Sequence, residues 1–234
     1  MEERPVNYVV DGGYLEAGHR LVNIAGRSWN QQELLSAAER AVLRNTGWPI
    51  GLVLTTPDLA PSPTPEGVEA RITKRVTGTG EDFWFFRSDG SYYVSRTFEE
   101  DEAIPGSEPP DRRRPIIWFE VRIWRIAEVV LHSATIYREL GVPPDEPYIL
   151  TINHEGLNGR TLTASEPRRY VHQGAWCRSA RATWSREVTE DFVSANVQPI
   201  VSEVANGVFA LFDFAKIGDG EMKEIVDGFL HRRF

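Results

Sequence analysis

Cysteine is almost missing from this 234-residue chain, and lysine is nearly as scarce. One thiol, Cys177, excludes an intrachain disulfide and a cysteine-rich zinc site. The only lysines are Lys74, Lys216 and Lys223, so the basic residues are nearly all arginine. Alongside abundant Ala, Gly and Pro, that bias reads as genomic base composition before it reads as phosphate recognition. No apolar run approaches the roughly 20 residues that a membrane helix needs. The opening MEERPVNYVVDGG lacks a basic-then-apolar leader profile, so a cytoplasmic protein without membrane association is the expectation. A formal charge of −8 excludes polyanion binding by the surface at large and leaves room only for a local basic patch.

What is present is organised around Pro115–Gly141. Ile123, Ile126, Ala127, Val130, Ala134, Tyr137 and Leu140 recur in steps of three and four, which predicts a helix starting near Trp118. Arg122, Arg125, Glu128, His132, Arg138 and Glu139 fall mostly on its other side. Gly141 and Pro143 supply the stop.

Before it, Tyr8–Gly26 reads as extended or irregular. A helix with a Ser28–Gln31 capping box carries Leu34, Leu35, Ala38, Ala41 and Val42 as its stripe. Ile50–Thr55 is a short strand, and Pro57–Pro65, with four prolines in nine residues, is a loop. Val68–Thr77 alternates as a half-solvated strand. Asp82–Arg87 and Ser91–Phe98, joined by Ser88-Asp89-Gly90, form an aromatic β-hairpin.

Glu99–Arg114 changes character, from four consecutive acids through Pro- and Gly-rich sequence to Arg112, Arg113 and Arg114. It reads as a solvated connection. Beyond the central helix, Tyr148–Asn153 and Arg160–Ala164 predict a second hairpin, and Arg178–Val188 a further strand. Thr189–Phe214 predicts a helix begun or kinked at Pro199, and Glu221–His231 a last short helix.

That order is α+β, with antiparallel sheets packed on a long central helix and two C-terminal helices. Gly47-Trp48-Pro49 and Gly141-Val142-Pro143 each precede an apolar strand, an echo that fits two related halves. These are 1–98 and 115–234, linked by 99–114 and able to pack as one domain.

Several matches then accumulate from the hairpin onward. They are Trp84, Asp89, Gly90 and Tyr93; Glu100 and Asp101; Arg122–Arg125, Ala127, Glu128, Leu131, His132 and Ala134; Glu139–Gly141 and Pro143; and Gly156, Leu157, Gly159, Arg160 and Leu162. In these residues the chain resembles the C-terminal accessory region of bacterial, actinobacterial-type proteins that carry an Alba-like, Schlafen-type domain assigned to DNA binding. The Alba-like domain itself has no counterpart here, so DNA binding does not carry over. The resemblance implies a partner- or ligand-sensing region in a regulatory or phage-defence setting.

The residues offer three sites. His154, Glu155, Asn158 and Arg160 share one loop, where polar groups can converge on a ligand and Arg160 can grip a carboxylate or phosphate. Arg122, Trp124 and Arg125 can meet a partner, or with Arg112–Arg114 form a strip for nucleic acid. His172 and Cys177 are spaced for a nucleophile pair but lack an orienting third group. His132, His154 and His172 are too scattered for a metal site. No phosphate loop or nucleophile elbow occurs, and no cofactor is implied. The expectation is a non-catalytic module binding a protein partner, a second copy or a small ligand. The alternatives are a small hydrolase or nuclease near His154 and Arg160, and a nucleic-acid binder through Arg112–Arg125.

Overall fold

The computed structural model describes residues 12–73, 80–101, 115–166, 168–169, 175–213 and 215–231. Expectations that touch residues 74–79, 102–114 or His172 lie outside them.

Two local signals hold closely. The central helix α2 (Phe119–Glu139) has Trp118 as its N-cap, and Gly141 just past its end takes φ +71°. The aromatic hairpin is β4 (Glu81–Arg87) and β5 (Tyr92–Thr97), with Gly90 at φ +81° in the turn.

Other boundaries move for local reasons. Helix α1 (Gln31–Ala41) is capped by Asn30 rather than Ser28. Asn30 Oδ1 accepts from the Glu33 N–H at 3.0 Å, and the Glu33 carboxylate accepts from the Asn30 N–H at 2.8 Å. Ile50–Thr55 is not a strand. Gly51 turns the chain at φ +69°, and the Leu52 carbonyl is taken by Trp84 Nε1 at 3.0 Å. Inside the proline loop, β2 (Ser62–Thr64) pairs with β3 (Gly67–Thr73) as an edge strand, a place where Pro63 is tolerated.

The long C-terminal helix is split. α3 (Glu190–Ala195) is capped by Thr189 and ends at Asn196, and α4 (Val197–Phe209) takes Pro199 into its first turn, where its missing N–H has no partner to lose. With α5 (Asp219–His231), three helices rather than two close the described chain.

Among the described residues the main sheet has seven antiparallel strands in the order β2-β3-β4-β5-β1-β7-β9. β1 (Tyr14–Leu21) lies between β5 and β7 (Tyr148–Glu155), so both predicted halves contribute to one ladder. β9 (Arg181–Val188) closes one edge against β7. The expected second hairpin does not form. β8 (Thr161–Thr163) instead pairs in parallel with β6 (Ile116–Trp118), the strand leading into α2.

Strand alternation sorts the sheet into two faces. Leu15, Ala17, Trp84, Phe86, Tyr92, Leu150 and Ile152 point to the helical side and are buried, as are Ile123, Ile126, Ala127, Val130, Ala134 and Tyr137 on α2. Each such large side chain contributes about 1.5–3 kcal/mol as an upper bound. Off that stripe, Arg122, Arg125, Glu128 and His132 are buried as well, so Arg122 and Arg125 do not stand at the surface where a partner would meet them.

Candidate functional site

The arginines of α2 are buried because acids reach them from elsewhere in the chain. Glu99–Asp101 forms a single 3₁₀ turn against α2, not a solvated connection. Glu99 accepts from Arg125 Nε at 2.6 Å and from Arg122 Nη2. Glu100 accepts the Trp118 backbone N–H at 2.6 Å, satisfying one free donor at the helix start. Asp101 is held by both terminal nitrogens of Arg160.

The chain of pairs continues through Arg125 to Glu128 at 2.6 Å. Arg96 approaches Glu128 at 3.9 Å and holds Asp82 at 2.7 and 2.8 Å. Phe98 sits between Arg122 and Arg160, whose guanidinium carbons lie 4.4 and 5.1 Å from its ring centroid. The two arginines beside Glu99 keep its carboxyl well below the usual range, against the opposing effect of burial. Burial pushes Glu100 the other way.

The sequence-predicted residues therefore divide. Arg122, Arg125, His154 and Arg160 converge, but inside the protein rather than on its surface, where they bind one another's counter-charges or rings. His154 lies in β7, fully buried with its ring tilted against that of Phe98 at 6.2 Å between centroids, so it is not a loop residue facing a ligand. Arg160 spends its donors on Asp101, the Gly156 carbonyl at 2.7 Å and the Ile116 carbonyl at 3.0 Å. Glu155 is half-buried, 3.5 Å from Arg181. Asn158 is exposed in the turn, away from that cluster, and Trp124 packs half-buried at the core margin. Cys177 is buried, which raises its thiol pKa above the ordinary value. Among the described residues no group of three or more His, Cys, Asp or Glu is arranged to hold a metal ion.

A second interior cluster lies between β1 and α2. The His19 ring stacks on Tyr92 at 5.2 Å and meets Tyr137 edge-on at 5.0 Å, while His132 lies 4.9 Å from Tyr92. Burial lowers the pKa of His132 to about 4 and that of His154 to about 3.

The other face of the sheet carries a hollow of about 600 Å³. Its position follows from register. Gly18 stands opposite Tyr93 on β5 and Thr151 on β7, so a row of side chains is interrupted where glycine has none. Phe85 and Tyr93 wall one side. Thr151 and Ser185, with hydroxyls 2.8 Å apart, wall the other. Two residues along β1 in one direction is Glu16, buried and accepting from the Tyr93 hydroxyl at 2.6 Å, with Asn153 beside it. Two residues in the other direction is exposed Arg20, near Arg87 and Glu66.

Tyr8–Gly26, expected to be extended or irregular, holds the extended strand β1 at Tyr14–Leu21, but its polar face was not singled out from the sequence. The available signal was the alternation of Leu15, Ala17 and Leu21 with Glu16, Gly18 and Arg20, which marks a strand with one polar face. No family model, no curated protein and no solved structure matches the chain.

Proposed function

We propose that this protein is a non-catalytic binding module that takes a small ligand into the hollow over Gly18. The single observation behind the reading is the hollow itself. At about 600 Å³ it lies within the range of small-molecule sites, and it combines an aromatic wall with a few hydrogen-bonding groups. Of the groups on which a hydrolytic or nucleic-acid reading depended, His154, Arg160, Cys177, Arg122 and Arg125 are buried in the core and Glu155 is half-buried, while Arg112–Arg114 lie outside the described residues. The regulatory or phage-defence setting rests on the family resemblance alone.

Gly18→Leu tests the proposal. A Cβ on Gly18 meets nothing closer than the Tyr92 carbonyl at 3.5 Å, so the new side chain fills the hollow without a backbone clash. A fragment library screened by ligand-observed NMR should give hits that the Gly18→Leu protein loses while its melting temperature holds. Hits indifferent to the substitution, or none at all, would defeat the reading.

Association with a protein partner or a second copy is a second reading, favoured by β9. Its eight residues are mostly exposed, and among the described residues it pairs with a strand on one side only. A monomer at every concentration in size exclusion with light scattering would remove self-association.

A further inference from the structure

The open edge of β9 carries its own complement. Outside the ladder with β7, no backbone group of Arg181–Val188 takes a hydrogen bond among the described residues, so a row of N–H and C=O groups lies bare. Just before it the Ala180 carbonyl is occupied by the Leu157 N–H, and at its far end Val188 is buried. The usable stretch is Arg181–Glu187, whose residues are exposed or half-buried.

Charge is placed symmetrically on that stretch. Arg181, Thr183, Ser185 and Glu187 alternate onto the face of the sheet that holds the hollow, where Ser185 stands beside Thr151. Arg181 and Glu187 lie equally far from Trp184, one on either side. Glu187, opposite Ile149, makes no ion pair among the described residues. Arg181 meets Glu155 only at 3.5 Å and has 65% of its side chain exposed.

From this layout we infer that β9 pairs antiparallel with β9 of a second copy of the chain. The two-fold axis passes at Trp184, and each copy's Arg181 faces Glu187 of the other. The inference rests on the second reading above, self-association, and adds surface, symmetry and register to it. A two-fold contact is self-complementary, so that if residue i meets j, then j meets i. For one sheet to run through both copies, residues of the same face must stand opposite each other, which puts the axis at a residue. At Trp184 it engages all of Arg181–Glu187, sets Arg181 on Glu187 twice and Thr183 on Ser185 twice, and brings no like charges together. At Thr183 or Ser185 it would set Glu187 against Ser179 or Thr183 and lose both ion pairs. At Arg186 it would set that arginine against itself, which is unfavourable. Main-chain hydrogen bonds along the edge supply affinity, and the side chains choose the register. The charges that guard a bare edge against indiscriminate pairing thus admit a second copy. Because Ser185 walls the hollow, Thr183 of that copy comes to stand against the same wall.

Sedimentation equilibrium from micromolar to near-millimolar protein is the test. The unaltered chain should form a dimer and nothing larger, since a two-fold contact closes on itself. Arg181→Glu and Glu187→Arg, both surface changes, should each weaken the dimer about tenfold or more, because each exchanges two opposite-charge pairs for two like-charge ones. The double exchange should restore association. Mixing the two single variants should restore it as a heterodimer, each supplying the charge that the other lacks. A local effect of either substitution on its own copy predicts no such recovery.

A dimer indifferent to both substitutions, or one that the mixture fails to recover, overturns the β9 pairing while self-association stands by another surface. A monomer throughout overturns the inference and self-association together, and leaves the edge to a strand of a different protein.

Discussion

Arg160 and Asp101, 59 positions apart, form a two-pronged ion pair in which Nη1 lies 3.0 Å from Oδ1 and Nη2 meets Oδ2. The same guanidinium holds the Ile116 carbonyl, so one side chain ties together the chain on both sides of residues 102–114. Asp101 in turn accepts the Gly13 N–H at 2.7 Å, which adds the start of β1 to the junction.

Removing one member of that pair should be costly. Arg160 has only 4% of its side chain exposed, so Arg160→Ala leaves Asp101 without its counter-ion. The expected loss is about 3–5 kcal/mol in urea denaturation. Arg40→Ala, which breaks the solvent-facing pair to Glu139, should cost less than about 1 kcal/mol. Equal losses would contradict the difference in burial.

Two glycines should respond with opposite signs to alanine. A Cβ on Gly13 would fall 2.3 Å from the Phe98 ring and 2.6 Å from Arg160 Nη2, so Gly13→Ala should destabilise by about 1–3 kcal/mol. Gly207 sits exposed in α4 with open space around it, and Gly207→Ala should stabilise by about 0.5–1 kcal/mol. Thermal melts of the two proteins should shift in opposite directions.

Acid should weaken the fold before its carboxylates titrate. His132 and His154 have folded pKa values of about 4 and about 3, both below the 6.5 of the unfolded chain, and burial lowers His19 too. Between those values the unfolded chain binds more protons, so stability rises with pH and is lost as pH falls from 6.5 toward 4. Each histidine adds about 1.4 kcal/mol per pH unit to that slope. Glu100, raised by burial, opposes it near its own titration, and Glu99, lowered by Arg125 and Arg122, adds to the loss only once pH drops below the ordinary carboxylate range. Removing one histidine, as in His154→Leu, should flatten the slope between pH 6 and 5 by about that amount in denaturant titrations.

Helix α1 gives a test of its boundary. Asn30→Ala should cost about 1 kcal/mol by removing the cap, whereas Ser28→Ala should stay within about 0.5 kcal/mol. The midpoint of urea unfolding, at unchanged slope, is the readout.

Much of this architecture was legible because its signals are local. The stripe from Ile123 to Tyr137 and the stop at Gly141 depend on residues one turn apart, and the β4–β5 hairpin depends on alternation around Asp89-Gly90. Such patterns hold whatever the rest of the chain does, and they fixed the α+β class and the place of α2. Periodicity also set Arg122, Arg125 and His132 off the apolar stripe.

What it could not report is what faces them. Whether an arginine meets water or Glu99 depends on a turn more than 20 residues away, and His154 is buried because Phe98 and Arg122 arrive from other elements. The hollow is further still from local reach. It exists because β1 enters the sheet between β5 and β7 in a register that sets Gly18 between Tyr93 and Thr151, and register is decided by pairing across the whole sheet. Residue spacing along the chain thus determined helix α2 and the β4–β5 hairpin. Tertiary pairing alone decided which charges were withdrawn from water and where an opening was left.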